Sequence, residues 1–120
     1  MNYVDGYVLP LSKKKLNAYR AIAKKASKIW REHGAISYCE AVGDDLDVKW
    51  CGSPFTKLLK LKRGETAVFA YIVYKSRAHR DRVNAKVMND PRLKDMCNPN
   101  AMSFDFARMT MGGFKAIVEA

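Results

Sequence analysis

An aspartate set in an aromatic strand, two histidines and three cysteines are the residues of this chain whose types could do chemistry. Asp5 lies within Tyr3-Val4-Asp5-Gly6-Tyr7-Val8. A carboxylate there either faces solvent or sits in a cavity beside a cation or hydroxyl, because burying an unpaired charge is costly. Arg80 and Asn84 flank the apolar stripe of a later helix and Lys115 belongs to the last strand, so each is a candidate partner. These residues outline a small-molecule site. Asp5 would accept hydrogen bonds, Tyr7 and Tyr71 would supply aromatic walls and hydroxyl donors, His79 would carry a proton and Arg80 would clamp an anion. His33 falls near the apolar stripe of the first helix and reads as a helix-terminal histidine rather than a metal ligand.

The common catalytic spacings are absent: the sequence has no Walker loop, GxGxxG, HExxH or GxSxG turn. Cys39, Cys51 and Cys97 are odd in number and lack CxxC spacing, and no charged start with an apolar run resembles a signal peptide. The expectation is a reducing cytoplasm, no disulfide, no zinc and no cofactor. Ala67 to Val73, the longest apolar stretch, is far below the roughly 20 residues of a membrane-spanning helix. Lys and Arg total 22 against 12 acidic residues, a formal charge of +10, so the field attracts anions. Lys13, Lys14, Arg20, Lys24, Lys25, Lys28 and Arg31 all project away from the apolar stripe of the first helix. A solvated surface explains that face, and binding of RNA is the competing reading. Phe69-Ala70-Tyr71-Ile72-Val73-Tyr74 fits part of the central-strand signature of RNA-recognition motifs, but Ala67-Val68 stands where Arg-Gly or Lys-Gly belongs.

The elements that must position these groups follow from periodicity. Tyr3 to Leu9 reads as a strand ended by Pro10. Ser12 caps a long helix in which Leu16, Tyr19, Ile22, Ala23, Ala26, Ile29 and Trp30 recur at helical spacing until Gly34. Ile36 to Val42 is a second strand, and a connection carries a short helix after Ser53-Pro54. Thr66 to Tyr74 is a continuous apolar strand that belongs at the sheet centre. Ser76 caps a helix bearing Val83 and Val87, Asp90-Pro91 starts a short one reaching Met96, and a last strand spans about Arg108 to Val118. The order strand, helix, strand, strand, helix, strand predicts one α+β domain over residues 1–120. It is a ferredoxin-like sandwich, with a four-stranded antiparallel sheet, first and third strands adjacent, and both helices on one face. The other face keeps apolar and aromatic side chains that something should cover.

Tyr3-Val4-Asp5-Gly6-Tyr7-Val8, Trp30-Arg31-Glu32-His33-Gly34-Ala35 and Val73 through Asn84 resemble the YbaA-like family of uncharacterised bacterial proteins. Asp90-Pro91-Arg92, Phe104-Asp105 and Arg108-Met109 followed by Gly112-Gly113-Phe114 continue the match over essentially the whole chain. The resemblance implies a subunit that pairs into a dimeric α/β barrel, each open sheet face turned to its mate. Barrels of that type include cofactor-independent monooxygenases, haem-degrading enzymes and pure binding modules, so the fold does not select an activity. The reading is therefore a cytoplasmic homodimer with a pocket between the sheet and its covering elements that binds or transforms a small organic molecule, an anion being one candidate. If it is an enzyme, a cofactor-independent monooxygenase-like reaction is the candidate activity. RNA binding through the basic surface and sheet aromatics, and a dimer without ligand, are the alternatives.

Overall fold

The computed structural model describes residues 1–50, 52–96 and 104–120. Cys51, Cys97 and the cysteine expectations that fall on them lie outside those residues, whereas Cys39 is a free, half-buried thiol. The chain runs β1 (Tyr3–Ser12), α1 (Leu16–Glu32), β2 (Ser37–Val42), α2 (Phe55–Leu58), β3 (Glu65–Tyr74), α3 (Arg77–Met88), α4 (Pro91–Met96) and β4 (Thr110–Lys115). Its four strands form one antiparallel sheet in the order β2-β3-β1-β4, with β1 and β3 side by side as expected.

Strand register divides the side chains between two faces. Asp5, Tyr7, Leu9 and Leu11 of β1 share a face with Thr66, Val68, Ala70, Ile72 and Tyr74 of β3, and the helices cover it. Tyr19, Ala26 and Ile29 of α1, Val83 and Val87 of α3 and Leu93 of α4 fill that side. The resulting core has two parts, one around Ile29, Ile72, Tyr74, Val83 and Val87, the other around Leu9, Leu11, Tyr19 and Val68. Each fully buried aliphatic side chain contributes about 1.5–3 kcal/mol.

Three boundaries depart from expectation, each for a local reason. β1 continues through Pro10 to Ser12 instead of stopping at Leu9. The amide of Lys13 donates to Gly64 and that of Ala116 donates to Asn2, so odd residues of β1 bond toward β3 and even residues toward β4. Pro10 therefore turns its missing N–H toward β4, whose pairing has already ended at Val8. Ser12 does not cap α1: its side chain makes no cap hydrogen bond, and Lys13–Lys15 form a 3-10 turn before the helix begins. β4 is shorter than the expected Arg108–Val118, because Phe106–Arg108 is a 3-10 turn and Lys115 already pairs with Tyr3, the first residue of β1.

Candidate functional site

Asp5 is buried at 3% exposure on the helix-covered face, and α3 brings it its partners. Ser76 caps α3 by accepting the His79 amide at 3.0 Å, which sets the helix phase and turns Arg80 and Asn84 toward the sheet. Arg80 Nη1 stands 3.4 Å from Asp5 Oδ1, and its Nη2 donates to the Tyr3 hydroxyl at 3.1 Å. The same guanidinium lies 5.0 Å from the Tyr3 ring centroid and 2.9 Å, through Nε, from Asp81. Asn84 Oδ1 accepts from Trp30 Nε1 at 3.1 Å and from the Tyr74 hydroxyl at 3.2 Å. Burial raises the Asp5 carboxyl above the ordinary range, against the opposing pull of Arg80 and of hydrogen bonds from Asn84 and Tyr74. The network thus ties β1, α1, β3 and α3 together through one buried acid.

Of the residues singled out from sequence, the structure brings Asp5, Arg80 and Tyr7 to one face and separates the other two. The Tyr7 hydroxyl is pushed up to about 12 by burial first and then by the charge of Asp5. Tyr71 pairs with Gly6 and Cys39 on the opposite face, so Tyr7 and Tyr71 do not wall one pocket within a subunit. His79 points away from Asp5: its Nδ1 accepts the Lys75 amide at 3.0 Å, Nε2 meets Gly34, and its ring stacks edge-on to Tyr74 at 6.0 Å. Burial and the nearby Arg82 and Lys75 lower its pKa, so the ring stays neutral. Lys115, across from Tyr3, is exposed. His33 is the terminal residue the periodicity indicated, with Nε2 2.8 Å from Asp90, which also pairs with Arg92.

An open hollow lies elsewhere, between α1 and β2. This groove of 390 Å³ is lined by Leu16, Tyr19, Arg20, Ala23, Lys24, Ser27, Tyr38, Glu40, Ala41, Val42 and Val68. Tyr38 donates to Glu40 Oε2 at 2.7 Å, and Tyr19 donates to Glu40 Oε1. Burial and the Glu40 charge drive both phenols well above their ordinary range, so they remain protonated. A second hollow of 280 Å³ is lined by Pro10, Ser12, Lys15, Glu65, Phe104, Asp105 and Arg108, with Arg108 paired to Glu65 at 2.6 Å. None of the five residues singled out from sequence lines either space. The signal for Glu40 was present: Tyr38 and Glu40 share a face by the period of two, and Tyr19 sits in the apolar stripe of α1. Among the described residues no cluster of three or more His, Cys, Asp or Glu could hold a metal, and no helix is long and apolar enough to cross a membrane.

Comparison with known proteins agrees with the sequence motifs. Residues 2–106 match the model for "Protein of unknown function (DUF1428)". The "Uncharacterized protein YbaA" of Escherichia coli (strain K12) is 38% identical over 120 residues, covering 99% of both chains, and that of Shigella flexneri matches equally. Among solved structures, the de novo designed protein Foldit4 aligns over 97% of this chain and 99% of its own at 10% identity and a TM-score of 0.45. Motifs, family match and full-length relatives coincide, and the chain belongs to the DUF1428 family, with the YbaA proteins among its members' relatives.

Proposed function

We propose that the protein is a ferredoxin-like subunit that pairs through its open sheet face into a homodimeric α/β barrel and binds a small organic molecule on the helix side of each sheet. The observation that carries the pairing is the open face itself. Val4 and Val8 of β1, Cys39 of β2, Tyr71 and Val73 of β3 and Phe114 of β4 share it with Phe69, and Phe69 and Phe114 are 49% and 62% exposed. None of these residues carries a charge on a chain of formal charge +10, so two copies can meet through them without bringing like charges together. The ligand space that supports the binding half of the reading is the α1–β2 groove, whose 390 Å³ suits a metabolite. The buried Asp5 network serves as the brace that holds α3 on the sheet, rather than as the ligand contact first expected.

Sedimentation equilibrium of the protein and of Phe69→Glu tests the pairing. The parent is expected to have the dimer mass and the variant the monomer mass with its fold retained. A monomeric parent overturns the pairing. A thermal-shift screen against metabolites and short RNA, at low and moderate salt, tests the binding, because a ligand of the folded state raises the melting temperature. Stabilisation by RNA alone, fading steeply with salt, would favour the nucleic-acid alternative.

A further inference from the structure

We infer that the groove between α1 and β2 recognises a zwitterion, holding an ammonium on Glu40 and the ligand's anionic end on Arg20 and Lys24. The inference deepens the small-molecule reading and rests on it. Glu40 forms no ion pair among the described residues, although two cations line the same groove. Its two oxygens each accept one tyrosine hydroxyl, and each keeps a free lone pair. Tyr19 and Tyr38 have committed their protons to Glu40, so toward the groove their oxygens also offer only lone pairs. This part of the groove therefore presents acceptors carrying one net negative charge. A group that meets them must donate, and a primary ammonium has three N–H donors and the opposite charge.

The rim has the opposite character. Arg20 and Lys24 are exposed and one helical turn apart on α1, which places them as neighbours on the helix surface. Leu16, Ala23 and Val68 line the same groove and suit an aliphatic stem. Acceptors without donors, two cations and apolar side chains in one groove describe the chemistry of an amino acid or ω-amino acid. A dianion would meet repulsion at Glu40, and a simple amine would meet it at Arg20 and Lys24.

The test uses the full chain, a panel of free amino acids and ω-amino acids of increasing length, and the matching des-amino carboxylates and alkylamines, with binding followed by amide NMR shifts. At least one zwitterion is expected to saturate with shifts in α1 and β2, and both matched controls to bind more weakly. Glu40→Gln should weaken that zwitterion about tenfold to a hundredfold. Because Glu40→Gln also disturbs two tyrosine hydrogen bonds, the exposed double variant Arg20→Gln/Lys24→Gln provides an independent arm. It should weaken the zwitterion and strengthen the alkylamine, whose repulsion by the two cations it removes. If another small molecule fills the groove and is indifferent to these substitutions, or the des-amino carboxylate binds as well as its zwitterion, the inference is overturned while the small-molecule reading stands. If no zwitterion shifts the groove, the inference is likewise overturned, and the small-molecule reading falls only when the wider metabolite screen is also empty.

Discussion

Arg80 of α3 holds Nη1 3.4 Å from Oδ1 of Asp5 in β1, yet the two side chains differ in access to water, at 22% and 4% exposure. The acid depends on the base more than the base depends on the acid. Arg80→Met should lower unfolding stability by about 3–5 kcal/mol, since it strands a buried carboxylate. Asp5→Asn should cost less, because its amide retains hydrogen bonding near Asn84 and Tyr74 while Arg80 keeps solvent and Asp81. Urea unfolding of both variants decides it, and equal losses would refute the asymmetry.

Gly113 lies opposite Asp5 in β4 with the Tyr3 ring across it. A methyl group there would come within 2.9 Å of Tyr3 Cε1 and Cζ, and closer still to the hydroxyl that Arg80 holds. Gly113→Ala should therefore destabilise the fold by about 1–3 kcal/mol, as overpacking does. At Gly112 a methyl would meet only Phe114, at 3.8 Å, so Gly112→Ala should leave subunit stability nearly unchanged. Thermal unfolding of the pair measures the difference, and equal effects would mean that Tyr3 yields freely.

Much of this arrangement was legible from residue order, and particular residues explain where it was not. The β3 run Thr66 to Tyr74 and the Val83–Val87 stripe announce a central strand and its covering helix, because burial demands apolar side chains at fixed periods. Arg80 and Asn84 were legible as partners of Asp5 for the same reason: they flank that stripe. Tyr7 and Tyr71 were not separable by type, since an aromatic residue suits either sheet face and only the Gly6–Tyr71 register puts them on opposite sides. Pro10 looked like a strand end because its tolerance depends on where β4 stops, a relation between segments far apart in the chain. The Glu40 groove needed α1 and β2 to come together in space, which the period of neither segment alone encodes.

Glu65 accepts from Arg108 Nη1 at 2.6 Å and from Nη2 at 2.9 Å, and this pairing lowers its pKa from 4.5 to about 2. The native state releases this proton more readily than the unfolded chain, so the pair stabilises fully above about 4.5 and loses its effect as pH falls through about 2. Glu65→Gln should lower stability near neutrality and flatten its decline across that window. Asp90, also held low by Arg92 and His33, leaves part of the acid dependence in place. Asp5 has the opposite sign: its raised pKa makes stability fall as pH rises above the ordinary carboxylate value, so Asp5→Asn should steepen the acid limb. Denaturant midpoints measured across the acid range test both directions.

His79 provides a check on whether a histidine chosen for proton transfer is instead a fastening. Its Nδ1 accepts the Lys75 amide, so the neutral ring must carry its proton on Nε2, beside Gly34. Protonating Nδ1 would break the Lys75 contact, and burial first, then the charges of Arg82, Lys75 and Lys86, lower the pKa of the ring. The native state then binds fewer protons than the unfolded chain between the lowered value and 6.5, so this residue's contribution is present above 6.5 and declines as pH falls below it. Nitrogen-15 NMR of the imidazole should show the Nε2–H tautomer through neutral pH. His79→Ala should lose the ring's contacts with Lys75 and Tyr74 and destabilise by about 1–3 kcal/mol, while removing the stability decline just below pH 6.5. A ring found protonated at neutral pH, or a variant of unchanged stability, would return His79 to the list of groups free to move protons.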